Sequence, residues 1–276
     1  MTKRYSFLTM TLLLACMLAA AQTVPVAENV PYRPGTADAY AAERCRLDIY
    51  TPKEAGLKDL PVVVYFHGGG LTGGDKSSTP RELLDSRYVV VRVNYRLLRD
   101  EPPVTKIDDC IDDAAAAVAW TFKNIERFGG SKAKIFVSGH SAGGYLTDMV
   151  GLDKHWLQKY GIDADAIAGL IPFSGQVISH FAYRKTLGLG ELQPSIDAYA
   201  PLAHIRPDAP PIVIVSADRE KELFGRYEET AYFWRMLTLV GHPDATIYEL
   251  QGFNHSNMVH PGVQILKDNI KRILSK

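Results

Sequence analysis

The sequence predicts a doubly wound α/β domain, a mostly parallel central sheet with helices on both faces. Strand-like and helix-like stretches alternate from residue 46 onward, which is the pattern of a parallel sheet with helical crossovers. Several strand-like runs are apolar throughout, as strands covered on both faces must be. Size agrees: 276 residues, 46% hydrophobic and 22% charged, suffice for one core and do not fit a disordered, collagenous or coiled-coil chain.

The first segment stands outside this pattern. Lys3 and Arg4 precede an apolar run from Phe7 to Leu18, which ends in Ala19-Ala20-Ala21 before Gln22. That is the three-part pattern of a secretory signal peptide, so residues 1–21 are expected to be removed and the product exported, periplasmic or extracellular. A second reading uses Cys16, because Leu13-Leu14-Ala15-Cys16 resembles a bacterial lipobox; the bulky Leu14 and the apolar Met17 to Ala21 count against it. The run is short for a span of about 20 residues and nothing later is long enough, so no membrane span is expected. Residues 22–45, with Pro25, Pro31 and Pro34, read as an extended arm, and residues 46–276 as the α/β domain.

Within the domain, β-branched runs mark strands at Arg46 to Tyr50, Val62 to Phe66, Val89 to Asn94, Ile135 to Ser138, Ala168 to Phe173, Ile212 to Ser216 and Thr246 to Leu250. The clearest helix runs from Ile107 to Phe128, with Ile111, Ala114, Ala115, Val118 and Phe122 on one face and Gly129-Gly130 as its stop. Its Asp108, Asp109, Asp112 and Asp113 read as a solvated face. Further helices are expected over about Tyr145 to Leu152, Tyr227 to Val240 and Gly262 to Leu274. Residues 175–210, rich in proline, read as an excursion between two strands.

Lys and Arg together number 31, as do Asp and Glu, and there is no basic stripe, so nucleic acid is not an expected partner. Cys45 and Cys110 are too few and too far apart for a metal site and read as buried thiols. No His-Glu-x-x-His pattern and no phosphate-cradling Gly-Lys-Ser/Thr loop is present, so neither metal nor cofactor is expected.

Candidate chemistry sits at strand ends. Gly139-His140-Ser141-Ala142-Gly143 lies between a strand and a helix, the context of a nucleophile elbow, where a sharp turn exposes the serine hydroxyl. The flanking glycines are required because side chains there would collide with neighbouring strands. A serine needs a base to take its proton and a carboxylate to orient that base; in elbow enzymes the chain order is Ser, acid, His. His255, in the polar loop Gly252-Phe253-Asn254-His255-Ser256 after the last strand, is the candidate base, since an imidazole can take and return a proton near neutral pH. His242 and His260 read as capping or surface residues. Asp218, the first carboxylate past the strand Ile212 to Ser216, is the candidate acid, with Glu220 as the alternative one turn on. His67-Gly68-Gly69-Gly70 follows a buried strand; the amides of Gly69, Gly70 and Ala142 are candidate oxyanion donors, with His67 bracing the loop.

These motifs in this order resemble the α/β-hydrolase superfamily, its hormone-sensitive-lipase-like and small bacterial carboxylesterase branch, over roughly residues 46–274. His67-Gly68-Gly69-Gly70 followed by Gly74-Asp75-Lys76, and Ser216-Ala217-Asp218-Arg219-Glu220 followed by Arg226-Tyr227-Glu228-Glu229, are similar to acetyl-xylan/feruloyl esterase-like and arylformamidase-like members. The resemblance implies a minimal cap, ester hydrolysis through a serine acyl-enzyme, and Asp75 fixing the oxyanion loop. It also implies a substrate-facing role for Leu71, where many relatives carry an aromatic residue, and for Gln176 with Val177 to Gly190 at the pocket mouth. The expected substrate is a small-molecule or carbohydrate ester bearing an acetyl or feruloyl group. An arylformamidase-like amide hydrolase is the alternative, and a non-catalytic binding protein on the same fold stands behind both, since fold does not fix function.

Overall fold

A computed structural model describes residues 23–54 and 56–276; the signal-peptide and Cys16 readings lie outside the described residues. The strands are β1 (Thr23–Pro31), β2 (Arg46–Pro52), β3 (Leu60–Phe66), β4 (Val89–Val93), β5 (Gly130–His140), β6 (Gly169–Phe173), β7 (Ile212–Ala217) and β8 (Ala245–Leu250). They form one sheet in the order β1-β2-β4-β3-β5-β6-β7-β8. Pairing is antiparallel for β1 with β2 and β2 with β4, and parallel from β4 across to β8. The helices are α1 (Ala39–Arg44), α2 (Arg81–Leu84), α3 (Ile107–Asn124), α4 (Ala142–Leu152), α5 (His155–Gln158), α6 (Phe181–Thr186), α7 (Arg226–Leu239) and α8 (Val259–Leu274).

The unbroken apolar runs have a direct cause. Side chains alternate across a strand, so Val62, Val64 and Phe66 of β3 enter one core layer while Val63 and Tyr65 enter the other. The first layer is closed by Ile111, Ala114 and Val118 of α3, Leu146 and Val150 of α4, and Phe233 and Leu237 of α7. The second is closed by Leu83 of α2 and by Val263, Leu266 and Ile270 of α8. Cys45 and Cys110 are both free thiols buried in the first layer.

Residues 23–45, expected to belong to an extended arm, form a strand and a helix. β1 is an edge strand whose Pro25 and Pro31 are tolerated because it pairs on one side only, with register shifts near Pro25, Ala27 and Val30. Behind it, the Asp38 side chain accepts the Tyr40 and Ala41 amides and starts α1. The expected long helix also divides: α3 ends at Asn124, a 3₁₀ turn covers Ile125–Phe128, and Gly129 at φ +80° stops it.

The solvated acidic face expected on α3 fails at Asp113. Its carboxylate is fully buried, accepts Arg96 Nε and Nη2 at 2.8 Å each, and forms an ion pair with Arg33, whose Nε lies 2.7 Å from Oδ1. Asp108 accepts the Tyr199 hydroxyl, Asp109 the Lys106 amide, and Asp112 pairs with Arg33. Helical spacing does not reveal that two arginines from other segments converge on one position.

Candidate active site

β5 lies between β3 and β6, so its carboxyl end opens at the middle of the sheet's edge, where α/β proteins place their ligands. The chain leaves β5 at His140 and enters α4 at Ala142. Ser141 between them is held at φ +57°, ψ −114°, a conformation that an L-residue keeps only when its surroundings enforce it. The Ser141 amide donates to the Phe173 carbonyl at 2.8 Å, and its carbonyl accepts the Tyr145 amide at 3.0 Å. A Cβ on Gly143 would lie 2.0 Å from the Phe66 carbonyl oxygen, and one on Gly139 within 2.7 Å of the same atom. The elbow glycines are therefore required by close approach to the end of β3.

His255 reaches this elbow from the loop after β8. His140 Nε2 donates to the His255 carbonyl at 2.7 Å, and the two imidazoles lie tilted at 45° with centroids 4.7 Å apart. Burial, then the neighbouring His255 charge, pushes the His140 pKa down to about 4, so His140 is neutral at ordinary pH.

The carboxylate at His255 is Glu222, not Asp218. His255 Nδ1 donates to Glu222 Oε1 at 2.5 Å, and the Glu222 side chain is 1% exposed. Burial alone would raise its pKa; the hydrogen bond and charge of His255, with the Leu223 amide and the Ser174 hydroxyl, outweigh this and hold it at about 2. Asp218 instead builds the turn. Its Oδ2 accepts the Gly252 amide at 2.7 Å, its Oδ1 the Glu220 amide at 2.9 Å, and its carbonyl the Lys221 and Glu222 amides at 2.9 Å. These bonds tie the β7 loop to the β8 loop and swing the chain inward one turn later, past the exposed Glu220.

The loop after β3 is braced as expected. His67 Nδ1 bonds the Gly68 carbonyl at 2.7 Å, its ring stacks on Tyr95 at 4.4 Å, and the Tyr95 hydroxyl donates to the His67 carbonyl at 2.8 Å. Burial pushes the His67 pKa down to about 4. Asp75 accepts the Ser77 amide at 2.8 Å and Asn94 Nδ2 at 2.7 Å, anchoring the far end of the loop. Gly69 and Gly70 lie at φ +119° and +63°. A Cβ on Gly68 would sit 3.4 Å from Ser141 Cβ, so this loop passes directly over the elbow. Ala142 opens α4, so its amide is one of the free donors of a helix N-terminus.

Neither residue expected to line the pocket does so. Leu71, at φ +61°, turns under its loop; its side chain is fully buried in the core and its carbonyl accepts the Leu98 amide at 2.7 Å. Gln176 is 1% exposed, donating from Nε2 to Glu229 Oε1 at 3.3 Å and accepting the Phe181 amide at 2.8 Å. It supports the mouth from behind. The cleft of about 440 Å³ beside the loop is lined by Thr72, Arg99, Phe181, Lys185 and Leu189, with the Phe181 ring over Gly70. Among the described residues no group of three or more His, Cys, Asp or Glu is placed to hold a metal ion, and no helix is long and apolar enough to cross a membrane.

This sheet order, with its elbow on the central strand, is the α/β-hydrolase fold. A family model described as BD-FAE, within the α/β-hydrolase esterases, matches residues 47–169. That range holds the loop after β3 and the elbow and stops before Glu222 and His255. Carboxylesterase NlhH of Mycobacterium tuberculosis is 39% identical over 96 residues, 33% of this chain and 29% of that protein's own length. Among solved structures, a truncated carbohydrate esterase from gut microbiota superposes with a TM-score of 0.76 at 14% identity, over 94% of this chain and 99% of that one. An inhibited esterase B from Lactobacillus rhamnosis superposes with a TM-score of 0.71 at 18% identity, over 92% and 88%.

Proposed function

We propose that this chain is an exported serine carboxylic-ester hydrolase that removes small acyl groups, acetyl or feruloyl, from a carbohydrate. The observation that carries the reading is the Glu222–His255 pair held against the Ser141 elbow. Esterase relatives and the matched family model support the reaction class. The charged and aromatic cleft beside Gly70 supports a polar leaving group, and the Lys3-Arg4 pattern with its apolar run supports export.

In this mechanism His255 Nε2 takes the Ser141 hydroxyl proton as Oγ attacks the acyl carbon. Glu222 stays ionised and stabilises the imidazolium through Nδ1. The amides of Gly69, Gly70 and Ala142 hold the oxyanion, Ala142 with the added field of the α4 N-terminus. His255 returns the proton to the departing alkoxide, and water then repeats the sequence on the acyl-enzyme.

The test is turnover of p-nitrophenyl esters with acyl lengths of two to eight carbons, beside acetylated xylan, methyl ferulate and an N-formyl arylamine. Ester turnover that prefers the shortest chains and disappears in Ser141→Ala is the expected result. Turnover of the formyl amide alone overturns the ester reading, and turnover of nothing by folded protein returns the chain to a binding role.

A further inference from the structure

The acid side of the site contains one more side chain than a triad. Ser174 follows β6, is fully buried, and is held at φ +47°. Its Oγ donates to Glu222 Oε2 at 2.8 Å and lies 2.9 Å from His255 Nδ1. Its backbone is fixed as well: the amide donates to the Val215 carbonyl at 2.7 Å, and the carbonyl accepts Arg226 Nη1. A serine in a left-handed conformation is strained where glycine would not be, so the fold maintains that strain to keep a hydroxyl at this point.

We propose that Ser174 is a positioning residue of the hydrolase, closing a three-membered hydrogen-bond ring with Glu222 and His255. The ring has one consistent proton arrangement. Ser174 has a single hydroxyl proton, given to Glu222 Oε2, so toward His255 it can only accept. The Nδ1 proton is then shared between Glu222 Oε1 and Ser174 Oγ, which fixes the tautomer that leaves Nε2 free to take a proton. The same bond stops the carboxylate from rotating out of the imidazole plane. Ser174 touches neither substrate nor Ser141 Oγ in this role and acts through Glu222.

The inference rests on the esterase reading, and its test separates the two. Ser174→Gly keeps the backbone conformation and removes the hydroxyl; Ser174→Ala removes the hydroxyl and keeps the strain. With p-nitrophenyl acetate, both are expected to lower kcat about 10-fold or more with KM within about twofold, the size of one hydrogen bond to a charged group. Both are also expected to weaken the far-downfield proton NMR signal of the His255 Nδ1 proton through faster exchange. A double-mutant cycle decides the route: Ser174→Gly combined with Glu222→Gln should lose no more than about twofold beyond Glu222→Gln alone. Wild-type kcat and an unchanged Nδ1 signal in folded Ser174→Gly overturn the proposal, as does a double variant showing the product of the single losses. If wild-type protein turns over no ester, the reading of function fails instead.

Discussion

Asp218 and Glu222 stand four residues apart on one loop, and only Glu222 meets the imidazole. The sequence places a carboxylate after β7 and before the histidine loop, but not which of three acidic positions the turn delivers. That choice is made by Asp218 itself, whose side chain and carbonyl accept four backbone amides and so bend the loop. An Asp at a turn start is a familiar turn signal, but it does not separate Glu220 from Glu222 as the carboxylate that follows. Ser141 and His255, by contrast, are legible because their signals are local, an elbow between glycines and a polar loop after the last strand. Glu222→Gln should lower kcat about 10³-fold or more, since the imidazole loses the partner that fixes its tautomer. Asp218→Asn keeps only one of the two side-chain acceptors and turns the other into a donor facing an amide N–H, so the turn loosens, but the Glu222 carboxylate stays and kcat should fall by no more than about tenfold. Parallel measurement of kcat for the two variants checks this, and the reverse ranking would return the acid role to Asp218.

At the level of elements, the strands were readable because β3 and β7 are buried on both faces, so their hydrophobicity needs no period. β1 was not, because an edge strand tolerates the prolines that argue against a central one. α3 shows both outcomes. Its apolar face emerges from the spacing of Ile111, Ala114 and Val118, whereas Asp113 looks like any surface acid until the fold brings Arg33 and Arg96 to it. Removing that charge leaves two guanidinium groups without their shared partner. Asp113→Asn should therefore cost about 3 kcal/mol in stability by urea unfolding, and an unchanged midpoint would show the cluster to be dispensable.

For the whole molecule, acid sensitivity follows from histidines held neutral. His67 and His140 have folded pKa values of about 4 against an ordinary value of about 6.5, so between these limits the unfolded chain binds more protons than the native one. Their contribution is complete above about pH 6.5 and is lost as pH falls toward 4. Glu222, held at about 2, has the depressed carboxylate sign, with stability fully present above the unfolded value of 4.5 and lost progressively as pH falls from there through about 2. Thermal midpoints should fall from pH 7 to pH 4; a flat or rising profile would contradict the neutral state of these rings. The doubly wound sheet that gathers these groups was legible from alternation alone, whereas their convergence depends on loops whose course is set by tertiary hydrogen bonds. The covalent step tests that convergence most directly. Intact-mass analysis of protein quenched during p-nitrophenyl acetate turnover should find one acetyl group per chain, located on Ser141 and absent from Ser141→Ala. Retained turnover in Ser141→Ala, or an acetyl group that maps to another residue while turnover continues, would contradict the mechanism.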